Sequence, residues 1–97
     1  MASTHVALIT GANKGLGLET ARQLAAKGVT VIIGARDKAK GEAAAAELRK
    51  TGADAHAVAI DVTNADTFGP AVRFVEQKWG RLDILVNNAG ISLAHKP

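Results

Sequence analysis

TGANKGLGLE, residues 10–19, lies between a short apolar run and an alanine-rich amphipathic one. Three of these ten residues are glycine, and glycine loses more backbone freedom on folding than any other residue. The flanks explain why that cost is tolerated. Before the glycines, Val6 to Thr10 (VALIT) is β-branched and apolar, which predicts a fully buried strand. After them, Leu18, Ala21, Leu24 and Ala25 recur at helical spacing, and Gly28 is the natural stop. The glycines therefore occupy the exit of a strand and the mouth of a helix. Gly11 allows the tight turn, Gly15 leaves space for backbone amides to approach a pyrophosphate, and Gly17 permits close helix–sheet packing. Unpaired N–H groups at the helix start favour that negative charge. This placement reads as a phosphate cradle rather than a plain turn.

The same alternation continues outward. Residues 29–33 (VTVII) predict a second strand, and Asp37 caps a helix whose Ala39, Ala43, Ala46 and Leu48 form a shallow apolar stripe, closed near Gly52. Residues 55–60 (AHAVAI) predict the third strand. Asn64 or Asp66 caps a third helix, with Phe68, Val72, Val75 and Trp79 on one face and Gly80 as its stop. Pro70 fits only if that helix starts late, since proline is comfortable in the first turn alone. Residues 82–86 (LDILV) predict the fourth strand, which the NNAG of residues 87–90 leaves. Nearly continuous apolar strands joined by helical crossovers predict a parallel sheet buried on both faces, an α/β chain.

Composition narrows the function classes. A 97-residue chain with 47% apolar and 22% charged residues reads as one globular domain, residues 1–97, not as a disordered segment. It has no cysteine, hence no disulfide or thiolate metal site. Its net charge of +3 is spread along the chain with only three aromatic residues, which argues against nucleic-acid binding. No apolar run approaches the ~20 residues that span a bilayer, and the start lacks a secretory pattern. A cytoplasmic location is the expectation. His5, His56 and His95 share no metal-ligand spacing, so no metal site is assigned.

Three motifs now resemble those of the short-chain dehydrogenase/reductase family. TGANKGLG at 10–17 fits its TGxxxGxG signature, Asp61-Val62 its DV after strand three, and NNAG at 87–90 its fourth-strand signature. The resemblance spans essentially the whole chain and implies a Rossmann-type three-layer sheet, truncated to four strands in the order 3-2-1-4. It also implies a dinucleotide partner. The residues it assigns to cofactor binding are Gly11, Asn13, Lys14, Gly15, Leu16, Gly17, Arg36, Asp61, Val62, Asn87, Ala89, Gly90 and Ile91. Among them, Asp61 holds the adenine amino group, Val62 lines its ring, Asn87 stabilises the central sheet, and Ala89-Gly90 run beside the riboses.

The cofactor's phosphate state turns on the end of strand two. The family's usual ribose-binding carboxylate aligns with Ala35, which is followed by Arg36, and Lys14 precedes Gly15. Arg36 and Lys14 resemble the NADPH-preferring members, because an arginine fork matches phosphate oxygens and a lysine adds a second charge. NADP(H) is therefore expected over NAD(H), with Asp37 spent as the helix cap. The family's chemistry needs a serine, a tyrosine with a lysine four residues later, and a further asparagine, all after strand four. The sequence holds no tyrosine, so no catalytic residue is assigned. The chain reads as a non-catalytic NADP(H)-binding N-terminal fragment of an oxidoreductase. The alternatives are part of an active carbonyl reductase completed by further sequence or a second chain, and a self-associating fragment that does not retain cofactor. Strand four is then expected to present an apolar edge through which a homo-oligomer forms.

Overall fold

Residues Val6–Thr10 form β1, with all five side chains buried. A computed structural model describes residues 5–88 of the chain. After β1 come α1 (Gly15–Ala26), β2 (Thr30–Ala35), α2 (Lys38–Arg49) and β3 (Ala55–Ala59). A short 3-10 turn (Ala65–Thr67), α3 (Phe68–Trp79) and β4 (Ile84–Val86) complete the order. The four strands are parallel and stand in the order β3-β2-β1-β4, as the resemblance implies.

Strand alternation divides the core into two layers, because successive side chains leave opposite faces of a sheet. Ala7, Ile9, Val31, Ile33, Ala55 and Ala57 pack under α1 and α2, together with Ala21, Ala44, Ala45 and Leu48. Val6, Leu8, Ile32, Val58 and Ile60 pack under α3 through Ala71 and Val75, with Phe68, Val72, Trp79 and Leu82 alongside. Two helices thus cover one face and one covers the other, the arrangement that right-handed crossovers dictate.

Three expectations need correction. Burial on both faces holds for β1 and β2, whose residues are all buried, whereas β3 and β4 include exposed positions because they have a neighbour on one side only. On α2 the buried stripe is Gly41, Ala44, Ala45 and Leu48, while Ala39 and Ala43 face solvent. Gly41 sets this phase: a β-carbon there would stand 3.2 Å from the Ala35 β-carbon, so glycine lets α2 lie close on the sheet. Finally, β2 extends to Ala35, and β4 starts only at Ile84. Leu82 instead packs into the α3 layer.

The third helix does start late. Asn64 accepts from the Asp66 N–H at 3.0 Å to cap the 3-10 turn, and Pro70 falls in the first turn of α3. Asp37 caps α2 by accepting from the Ala39 and Lys40 N–H groups at 2.9 and 3.4 Å. Among the described residues, no helix is long and apolar enough to cross a membrane.

Candidate dinucleotide site

All the strands point the same way, so their carboxyl ends meet along one side of the sheet, where open parallel sheets present ligands. Beyond β1 lies the glycine loop, beyond β2 Arg36, beyond β3 Ile60 to Thr63, and beyond β4 Asn87 and Asn88. A cleft of about 230 Å³ joins the first three and is lined by Gly11, Asn13, Arg36, Ile60, Asp61, Val62 and Thr63.

The loop has the backbone that its glycines permit. Gly11 and Gly15 take φ values of +60° and +63°, a left-handed region that side-chain-bearing residues disfavour. Space around the β-carbon position of Gly15 is open to at least 4 Å. Gly17 is crowded instead: a β-carbon there would stand 2.6 Å from the Gly11 carbonyl oxygen, 2.7 Å from Asn88 Nδ2 and 3.0 Å from Ala12 Cα. Its closest neighbours thus come from the loop after β1 and from Asn88 beyond β4. Lys14 is the N-cap of α1, and no side chain caps that helix, so the amides of its first turn have no side-chain acceptor. Leu16, in the first turn of α1, is 70% exposed.

A ring of hydroxyl and amide contacts holds the strand ends together. Thr10 Oγ1 donates toward the Val86 carbonyl and Asn87 Oδ1, at 3.3 and 3.2 Å. Asn88 Nδ2 donates to the Gly11 carbonyl at 3.3 Å. Beyond β3, Asp61 Oδ1 accepts from the Thr63 hydroxyl at 2.6 Å and the Thr63 N–H at 2.9 Å. Thr67 Oγ1 accepts from the Asp61 N–H at 2.9 Å. The Thr63 hydroxyl, then its N–H, hold the Asp61 carboxyl below its ordinary pKa; burial opposes the shift, and the Arg36 charge reinforces it to a lesser degree. Asp61 thus lines the cleft as a carboxylate whose Oδ1 is engaged by Thr63.

The structure brings Gly11, Asn13, Arg36, Asp61 and Val62 into one cleft. Lys14 does not line it. Lys14 lies in a neighbouring groove between α1 and α2 with Asn13, Leu18, Lys40 and Glu47. Asn13 connects the two spaces. Lys40, Ile60, Thr63 and Thr67 escaped the sequence reading. The D-x-T spacing of Asp61 and Thr63 is the signal that could have found Thr63, since an aspartate commonly accepts from the residue two positions on. The expected contacts of Ala89, Gly90 and Ile91 lie outside the described residues. Among the described residues, no three histidine, aspartate or glutamate side chains gather at a spacing that holds a metal.

The pattern of the short chain dehydrogenase family matches residues 5–97. Short-chain dehydrogenase/reductase 1 of Saponaria officinalis is 47% identical over 95 residues, covering 95% of this chain and 32% of that protein. An actinorhodin polyketide ketoreductase variant, solved with NADPH, superposes with a TM-score of 0.83 at 37% identity, covering 90% of this chain and 34% of that one. A metagenomic short-chain oxidoreductase in complex with NADP gives a TM-score of 0.79 at 34% identity, covering 87% of this chain and 38% of that one. The chain spans about a third of the length of these relatives. With its glycine loop, its strand order and its matched residues in agreement, the chain belongs to the short-chain dehydrogenase family.

Proposed function

We propose that this chain, as a single domain, holds the adenosine and pyrophosphate portions of NADP(H) for an oxidoreductase. The observation that carries the reading is the cleft joining the glycine loop, Arg36 and Asp61 at the carboxyl ends of β1, β2 and β3. The residues fit the group. Gly15 leaves open space where a phosphate would sit, the uncapped amides of α1 would donate to it, and Asp61 and Val62, both lining the cleft, would hold the adenine amino group and flank its ring. When bound, NADPH supplies the hydride. The roles of Asn87, Ala89, Gly90 and Ile91 beside the sheet and riboses complete the proposal on family resemblance.

Preference for the phosphorylated cofactor rests on Arg36, which takes part in none of the ion pairs of the described residues. Ala35 places no carboxylate against the phosphate, and Asp37 is occupied as the α2 cap. Lys14 and Lys40 add positive charge from the adjoining groove. Calorimetry with both cofactors tests the assignment. A charge-assisted contact contributes about 1.5–3 kcal/mol, so Arg36→Asp should lose roughly 10–100-fold in NADPH affinity and reverse the preference toward NADH. Equal affinity of the parent chain for both cofactors would contradict it.

The reading extends to turnover. Among these 97 residues there is no tyrosine to exchange the proton of a carbonyl or alcohol, so the polypeptide alone binds cofactor without oxidising or reducing substrate. A second reading, self-association of the isolated polypeptide, is favoured by one feature: β4 pairs with β1 alone among the described strands, and its Leu85 is 51% exposed.

A further inference from the structure

Away from the dinucleotide cleft, the outer edge of β3 pairs with no described strand and runs between α2 and α3, with Ala59 exposed and Ala57, 7% exposed, at the floor of the grooves there. The Val31 N–H donates to the Asp54 carbonyl and the Ile60 N–H to the Ala35 carbonyl. With Val31 in register with Ala55, the parallel ladder turns the N–H and C=O groups of Ala57 and Ala59 outward. Arg49 Nη1 already takes the Ala55 carbonyl at 2.7 Å. Two grooves run along this edge and share Lys38, Ala57 and Phe74. One, of about 150 Å³, reaches His56, Lys78 and Trp79. The other, of about 280 Å³, reaches Ala59 and Pro70. Neither shares a lining residue with the dinucleotide cleft.

The walls are both aromatic and cationic. Trp79 lies 4.7 Å from the His56 ring and 6.1 Å from Phe74 between centroids, with Lys78 Nζ 5.6 Å above it. Phe74 is 44% exposed. Lys38, Arg49 and Lys78 face a single lining carboxylate, Glu42. The ion pairs of the described residues involve Arg22, Lys50, His56 and Arg81, and none of these three cations.

We propose that the β3 edge docks an extended acidic peptide segment of a partner protein, which adds to the sheet as a further strand. Outward backbone groups supply the pairing, and grooves for alternate side chains supply selectivity. The charges choose the partner. A second copy of this edge would bring like cations together, the means by which sheet edges resist self-pairing. An acidic strand turns those cations into attraction and sets an apolar side chain against Phe74 and Pro70.

Trp79 is the one tryptophan in the sequence and reports on the groove. The probe is a blocked eight-residue peptide of alternating glutamate and valine, titrated against a lysine–valine control. The expected result is a saturable change in Trp79 emission with the acidic peptide only, weakened at least ~tenfold between about 0.05 and 0.5 M salt. Ala59→Pro removes an outward N–H while sparing the β2 ladder, a position where edge strands tolerate proline. That variant, and independently Lys78→Glu, should each weaken binding by about tenfold or more. If Ala59→Pro does not fold, Lys78→Glu decides. No response, an equal response to the control, or full binding by a folded variant overturns the proposal. So does self-association that Ala59→Pro abolishes, because the occupant of β3 is then a second copy.

Discussion

A methyl group at Gly17 has no room: besides Asn88 Nδ2 at 2.7 Å, it would meet two backbone atoms, the Gly11 carbonyl oxygen at 2.6 Å and Ala12 Cα at 3.0 Å. Neither can swing aside as a side chain would, so the loop itself must shift. Overpacking of this kind costs typically ~1–3 kcal/mol. Gly17→Ala is expected to lower the urea midpoint and to weaken NADPH binding together, since the displaced loop is the one proposed to cradle phosphate. A variant with unchanged midpoint and unchanged affinity would show that the contact is not a constraint. The need for glycine here was legible in the sequence. Its partner was not, because the spacing of a motif carries no information about Asn88, which approaches from 71 positions away in the chain. Lys14 makes the same point. Its place beside Gly15 suggested a second charge across the Arg36 cleft, yet as N-cap of α1 it lies in the groove toward α2.

Elements depend on a few polar contacts at their ends. Asp37 accepts two N–H groups of the first turn of α2, and removal of such a cap costs about 1 kcal/mol. Asp37→Ala should therefore lower stability by about that amount in urea unfolding, whereas no change would mean that solvent replaces the cap at no loss. At the other end of the sheet, Asp83 joins β4 to β1: its Oδ2 accepts from the Val6 N–H at 2.8 Å while Arg81 forks onto the same carboxylate. Arg81, then the Val6 N–H, hold the Asp83 carboxyl below its ordinary pKa. A folded-state pKa below the unfolded one contributes stability that is full above the unfolded value and is lost as pH falls through the folded one. Unfolding midpoints should thus decline on acidification below the ordinary carboxylate range, and Asp83→Asn should flatten that decline. An identical acid profile for the variant would remove Asp83 from the account. Helix ends were readable because caps and stops are local chemistry. The buried face of α2 was not: in EAAAAEL, residues 42–48, alanines satisfy several helical phases at once, and only the approach of Gly41 to Ala35 selects one.

For the whole molecule, the order of strands and helices followed from periodicity and the glycine stops, whereas the strand order 3-2-1-4 came from family resemblance. The unequal burial of the strands follows from that order, since β3 and β4 lie at its two ends. The central claim is that the cleft at the carboxyl ends of β1, β2 and β3 holds the phosphorylated dinucleotide. Amide chemical-shift mapping with NADPH tests it most directly, because each backbone N–H reports separately. The account predicts saturable shifts concentrated at residues 11–17, at Arg36 and at residues 60–63, with smaller or absent responses along the outer edge of β3. Shifts confined to other surfaces, or no shifts at saturating NADPH in a folded protein, would contradict it.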